Sequence, residues 1–222
     1  MIKNFAVIFD MDGVIVDSNP HHKIALEKFC RQHGHELSDQ QLREKVYGRT
    51  NKDWLTNLFG KLEEKQLQAY ADEKEAIFRE LYKDDIVPLK GLRSFLDFLD
   101  HHQIPRAIAT SAPRTNVDFT LSKTGLEKYF PLILDDTFVS RGKPDPEIYI
   151  KAAMALGLPN RHCLVLEDSI SGVQAGRSAG SKVVGVSTTH TAEELSDTDL
   201  VIDNFAGLDP LSLIALVTNV LS

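Results

Sequence analysis

The sequence predicts an α/β fold: a doubly wound parallel sheet with a helical region inserted near its start. Three observations carry this. Short apolar runs rich in Val, Ile and Leu recur along the chain. A helical pattern follows most of them, and strand–helix alternation is the mark of a doubly wound sheet. One stretch, residues 18–85, holds helical patterns alone.

The first run is Phe5-Ala6-Val7-Ile8-Phe9. The others are Ala107–Ala109, Leu132–Leu134, Leu164–Leu166, Val183–Val186 and Leu200–Ile202. None alternates apolar with polar, which is the pattern of strands buried on both faces and hence of a parallel sheet. Between strands, Leu92, Phe95, Leu96 and Leu99 repeat at helical spacing. The C-terminal Leu213, Leu216, Val217 and Val220 do the same and read as a core-docking helix. That stretch is too short to span a bilayer, which takes ~20 residues.

The insert contains helical patterns over Ile24–Arg31, Gln40–Val46 and Lys52–Phe59. A longer one carries Leu67, Tyr70, Ile77, Phe78 and Leu81 on one side. A crossover needs one helix, so the surplus predicts a separate helical domain at 18–85, with a core of 1–17 and 86–222. Asn19-Pro20 on entry and the Asp84–Gly91 segment with Pro88 on exit are plausible hinges. The insert is nearly neutral, with 12 basic and 13 acidic residues.

The whole chain of 222 residues carries a net charge of −7, which argues against a nucleic-acid partner because that needs a basic footprint. A metal and a few placed cations can still admit an anionic small molecule. Cys30 and Cys163 lack metal-ligand or disulfide-framework spacing and read as free buried thiols. The N-terminal apolar run is cut short by Asp10, unlike a signal peptide. The expectation is a cytoplasmic, monomeric protein that meets neither nucleic acid nor membrane.

Ligands of open α/β sheets bind at the carboxyl ends of the strands. There this sequence places Asp10-Met11-Asp12-Gly13, Thr110-Ser111, Gly142-Lys143-Pro144 and Glu167-Asp168-Ser169. Taken singly, each has a plain reading: a turn, a solvated lysine, a helix cap. Their order, each just after a buried strand, argues for one site. Clustered carboxylates repel unless a cation sits among them, and oxygen ligands beside a phosphate suit Mg²⁺. A carboxylate can attack phosphorus, splitting one hard step into two. Lys143, the Thr110 hydroxyl and backbone amides near Met11 would offset the anion–anion repulsion. Asp12 is placed to protonate the leaving oxygen and later to take a proton from water.

These segments, with Gly172, Ala175, Gly176, Ala179 and Gly180 after the last, resemble the four ordered motifs of the haloacid dehalogenase-like superfamily. The resemblance spans the chain. It implies a Rossmann-like core with an inserted α-helical cap. It implies Asp10 as nucleophile, Asp12 as general acid/base, and Thr110 and Lys143 as phosphate binders. It places Mg²⁺ on Asp10, the main-chain carbonyl of Asp12, Glu167 and Asp168. The second aspartate of the first motif marks phosphoryl transfer, so Asp12 argues against dehalogenation.

Within the superfamily, the chain looks like the β-phosphoglucomutase-like phosphatases. His22 matches that group's histidine at the cap hinge. Lys45 and Arg49 have the spacing of the mutase's cap loop, and Lys74 matches a further cap lysine. With Ser111, these are the expected substrate-binding residues. The sequence departs from the mutase at Val46 and at Ser111-Ala112-Pro113-Arg114. Two activities follow as expectations: hydrolysis of small phosphate monoesters, which is favoured, and a phosphosugar mutase acting on β-glucose 1-phosphate. A non-catalytic sugar-phosphate sensor is disfavoured by the intact aspartate pair.

Overall fold

The computed structural model describes residues 5–38, 40–42 and 50–218. Six parallel strands form one sheet: β1 (Ala6–Phe9), β2 (Arg106–Ala109), β3 (Ile133–Leu134), β4 (Cys163–Glu167), β5 (Lys182–Val186) and β6 (Leu200–Ile202), in the order β3-β2-β1-β4-β5-β6. All six correspond to the apolar runs read from the sequence. The order reverses at β1, which pairs with β2 through Ile8 and Ala107 and with β4 through Ile8 and Val165.

Side chains alternate along β1 to feed two cores. Phe5, Val7 and Phe9 enter the larger one, while Ala6 and Ile8 enter the one on the opposite face. The larger core takes the apolar stripe Leu92, Phe95, Leu96 and Leu99 of the helix Leu92–His101. It also takes Val117 and Leu121 of Arg114–Thr124, and Leu213, Ile214 and Val217 of the C-terminal helix Pro210–Thr218. Phe9 meets Phe130 edge-on at 5.4 Å between ring centroids. Burial of one such side chain stabilises by roughly 1.5–3 kcal/mol. The opposite core is closed by the helices Glu147–Ala155 and Ile170–Ser178.

Between β1 and the helix Leu92–His101 the described residues form helices α1 (Asn19–Gln32), α2 (Asn51–Phe59) and α3 (Glu64–Tyr82), and no strand of the sheet. They enclose a third core of Leu26, Phe29, Cys30, Leu42, Trp54 and Leu55. Trp54, read as cap core in the sequence, packs edge-on against Phe29 at 5.8 Å. Thr50 caps α2 by accepting from the Asp53 amide at 3.3 Å. The expected helix Gln40–Val46 extends beyond the described residues. Both thiols are buried, and burial pushes each up to about 11, consistent with unreactive cysteines. Among the described residues no helix is long and apolar enough to cross a membrane.

Candidate active site

The carboxyl ends of β1, β2 and β4 open into a cavity of about 590 Å³ between sheet and helical insert. Asp10, Asp12, Thr110, Ser111, Lys143, Glu167, Asp168, His22 and Lys74 all line it. Thus the sequence-predicted site residues converge, except Lys45 and Arg49, which lie outside the described residues.

Lys143 anchors the charge arrangement. Its buried ammonium donates to Asp10 Oδ1 at 2.7 Å and to Glu167 Oε1 at 2.5 Å. Burial works against that charge, but Asp10 and Glu167 outweigh it and keep the lysine well above its ordinary value. Glu167 is tied in further. Its Oε1 accepts from the Tyr149 hydroxyl at 2.8 Å; its Oε2 accepts from the amides of Asp168 and Ser169 and from the Ser169 hydroxyl. Burial opposes ionisation of Glu167, but Lys143 and these donors hold its carboxyl low.

The other two carboxylates are less compensated. Burial, with Glu167 and Asp12 nearby, pushes Asp10 up to about 7 against the pull of Lys143. Burial, Glu167 and Asp10 push Asp168 well above the carboxylate range. Asp168 accepts from Asn19 Nδ2 at 3.1 Å and from the Thr189 hydroxyl, both neutral groups. Oxygens of Asp10, Glu167 and Asp168 lie within 4.8 Å of one another. A buried all-oxygen cluster in which burial and mutual repulsion raise two of the three carboxyls fits a hard divalent cation.

Two glycines make this packing feasible. A Cβ on Gly13, whose φ is +75°, would stand 1.9 Å from Asp168 Oδ2. A Cβ on Gly172 would stand 1.7 Å from Glu167 Oε1. Ser169 caps the helix Ile170–Ser178 by accepting from the Gly172 amide at 3.0 Å, as its place in the sequence suggested.

Asp12 faces the insert. It accepts from the Ser18 hydroxyl at 2.5 Å and lies 3.4 Å from His22 Nε2. Burial would raise its pKa, but His22 and Ser18 bring it below the ordinary value. His22 stacks on Phe78 at 3.6 Å between centroids, and its Nδ1 lies 2.9 Å from Lys74 Nζ. The hinge histidine and cap lysine therefore reach Asp12 as one chain of contacts. Thr110 is buried, with its hydroxyl accepting from the Ala112 amide at 3.1 Å.

Four contributors escaped sequence reasoning. Thr189 and Asn19 sit in segments without periodicity, Tyr149 reads as a core aromatic, and Glu75 as one charge among many on α3. Asn19-Pro20 carried a hinge signal but nothing that pointed to Asp168.

The profile of the haloacid dehalogenase-like hydrolase family matches residues 7–186. A phosphorylated carbohydrates phosphatase of Thermotoga maritima is 35% identical over 187 residues, covering 82% of this chain and 84% of that protein. A β-phosphoglucomutase of Bacillus subtilis is 30% identical over 191 residues, covering 82% of each. The crystal structure of a family IA hydrolase from Entamoeba histolytica superposes with a TM-score of 0.87 at 31% identity, covering 97% of this chain and all of that one. The chain belongs to the haloacid dehalogenase-like hydrolase family. It is an enzyme of that family, with a Rossmann-like core and an inserted α-helical cap.

Proposed function

We propose that this enzyme is a Mg²⁺-dependent phosphatase that hydrolyses small phosphate monoesters, sugar phosphates foremost, through a phospho-Asp10 intermediate. The observation that carries the reading is Asp10 in contact with Lys143, beside Asp168 and facing the same cavity as Asp12. Phosphatases of phosphorylated carbohydrates and of hexitols among the relatives support the substrate class. We take residues 18–85 as the cap.

Asp10 and Asp168 are the residues that would hold Mg²⁺ directly. Glu167, whose oxygens already accept five hydrogen bonds, acts by fixing Lys143. Bound there, Mg²⁺ supplies positive charge that lets Asp10 stay ionised beside an incoming phosphate. An Asp10 oxygen then forms a bond to phosphorus as the ester P–O bond breaks. Lys143 and Thr110 face the equatorial oxygens. Asp12, ionised in the free enzyme, gains proton affinity when an anionic phosphate settles beside it and so can protonate the leaving oxygen. In the second half Asp12 takes a proton from water. The water oxygen attacks phosphorus, the bond to Asp10 breaks, and inorganic phosphate leaves.

A mutase is the second reading, favoured by the Bacillus subtilis relative and by the His22–Lys74 contact. Phosphorus NMR separates the two. Protein with Mg²⁺, β-glucose 1-phosphate and a trace of glucose 1,6-bisphosphate is followed beside a panel of sugar phosphates. Accumulating inorganic phosphate supports the phosphatase. Glucose 6-phosphate with little free phosphate overturns it in favour of the mutase.

A further inference from the structure

Glu75 stands out among the cavity's lining residues because neither the metal cluster nor the acid/base pair includes it. It is 4% exposed, on α3 of the cap. Its Oε1 accepts from Asn51 Nδ2 at 2.9 Å and from Lys74 Nζ at 3.0 Å. Its Oε2 accepts from Asn116 Nδ2 at 2.6 Å, across from the cap to the core helix Arg114–Thr124. Both amides are locked in orientation from behind. The Trp54 indole donates to Asn51 Oδ1 at 2.8 Å, and Arg79 donates to Asn116 Oδ1 at 2.7 Å.

We propose that Glu75 and Asn51, with the fully buried Asn116 fixing Glu75 from the core side, form the distal substrate subsite, which recognises hydroxyl groups on the uncharged end of a phosphorylated polyol or sugar. This rests on the phosphatase reading of the same cavity and specifies the substrate's other end. A carboxylate has about four acceptor positions, and an amide nitrogen carries two hydrogens. Three of the Glu75 positions are used, leaving one on Oε2, and Asn51 retains one N–H. An acceptor beside a donor matches a sugar hydroxyl, which both gives and takes a hydrogen bond.

The charge of Glu75 disfavours an anion in direct contact with it. Among the described lining residues the lysines are Lys74 and Lys143; Lys143 is bound to Asp10 and Glu167, and Lys74 to Glu75. Burial opposes ionisation of Glu75, yet Lys74, His22 and the two amides outweigh it and hold the carboxyl at about 2. A phosphate set against Glu75 would therefore meet an ionised carboxylate whose partner lysine is already engaged. Leu26, Trp54 and Ala112 supply the apolar wall for C–H groups beside the hydroxyls.

The test compares kcat/KM for wild type, Glu75→Gln and Asn116→Ser with Mg²⁺. The substrates are a panel of hexose and hexitol monophosphates, fructose 1,6-bisphosphate, and phenyl phosphate, which has no hydroxyls. The readout is the ratio of the best sugar monophosphate to phenyl phosphate, which cancels any effect of Glu75 on Asp12 through Lys74 and His22. That ratio is expected to fall about tenfold to hundredfold in Glu75→Gln, the loss of a hydrogen bond to a charged group. It falls in the same direction in Asn116→Ser, which leaves the cap side chains in place should the first variant fail to fold. Wild type is expected to prefer fructose 1-phosphate over the bisphosphate, and Glu75→Gln to narrow that preference. A ratio unchanged in both variants, or a wild-type preference for the bisphosphate, overturns the subsite alone. No phosphate from any ester in wild type overturns the phosphatase reading and the subsite with it.

Discussion

The Lys143 ammonium donates to Asp10 Oδ1 across 2.7 Å, bridging residues 133 positions apart. The contact exists because β1 delivers Asp10 at its carboxyl end, while the loop ahead of the helix Glu147–Ala155 turns Lys143 back over the same edge of the sheet. Lys143 carries the positive charge that the buried carboxylates would otherwise lack, so it serves both the resting structure and the proposed transfer.

Removing that charge is expected to hurt both. Lys143→Ala should lower kcat about 100- to 1000-fold, the usual scale for one preorganised electrostatic donor. In metal-free protein it should also lower the melting temperature, because Asp10 and Glu167 lose their partner. Added Mg²⁺ should restore part of that loss. Steady-state kinetics and thermal melts with and without Mg²⁺ check this; wild-type kcat in the variant would refute it.

Gly13→Ala tests the cradle around Asp168. The substitution puts a side chain at φ +75° and a methyl 1.9 Å from Asp168 Oδ2. The left-handed backbone alone costs roughly 1–2 kcal/mol, and the carboxylate must move. Apparent Mg²⁺ affinity should fall about 10- to 100-fold, as when the support of a metal ligand is lost. The Mg²⁺ concentration that half-saturates the rise in melting temperature reports it. An unchanged midpoint would mean that Asp168 does not hold the ion.

Glu75 gives stability a definite pH dependence. Its folded value of about 2 lies below its ordinary 4.5. The folded state therefore favours the ionised carboxylate, and the contribution is complete above about pH 4.5. As pH falls from there towards 2, the unfolded chain takes up the proton first and the contribution is lost. A shift of this size corresponds to about 3 kcal/mol at most. Denaturant unfolding of wild type and Glu75→Gln should show a gap that narrows steadily from pH 5 to pH 3. A gap independent of pH would show that the carboxylate's charge contributes nothing.

The fold was legible because parallel strands are buried on both faces and leave unbroken apolar runs; Val183 to Val186 and Cys163 to Leu166 are fully apolar. The catalytic core was legible for a related reason. Polarity that begins abruptly after such a run, as at Asp10 or Glu167, has no packing explanation. Contacts from irregular segments carried no such signal. Thr189 reaches Asp168 from a loop after β5, and Tyr149 donates to Glu167 from a face of its helix that reads as core. Glu75 sits on a helix with several other acidic residues, and only the tertiary packing of α3 on the core helix Arg114–Thr124 distinguishes it from its neighbours.

The central claim is that the phosphoryl group passes through Asp10. The direct measurement is an acid quench of wild type and Asp10→Asn incubated with Mg²⁺ and a ³²P-labelled sugar phosphate that wild type hydrolyses, followed by peptide mapping of retained label. The account predicts label on the peptide containing Asp10 in wild type, and neither label nor phosphate release in Asp10→Asn. Continued phosphate release by Asp10→Asn, or label mapping to a different residue, would contradict it.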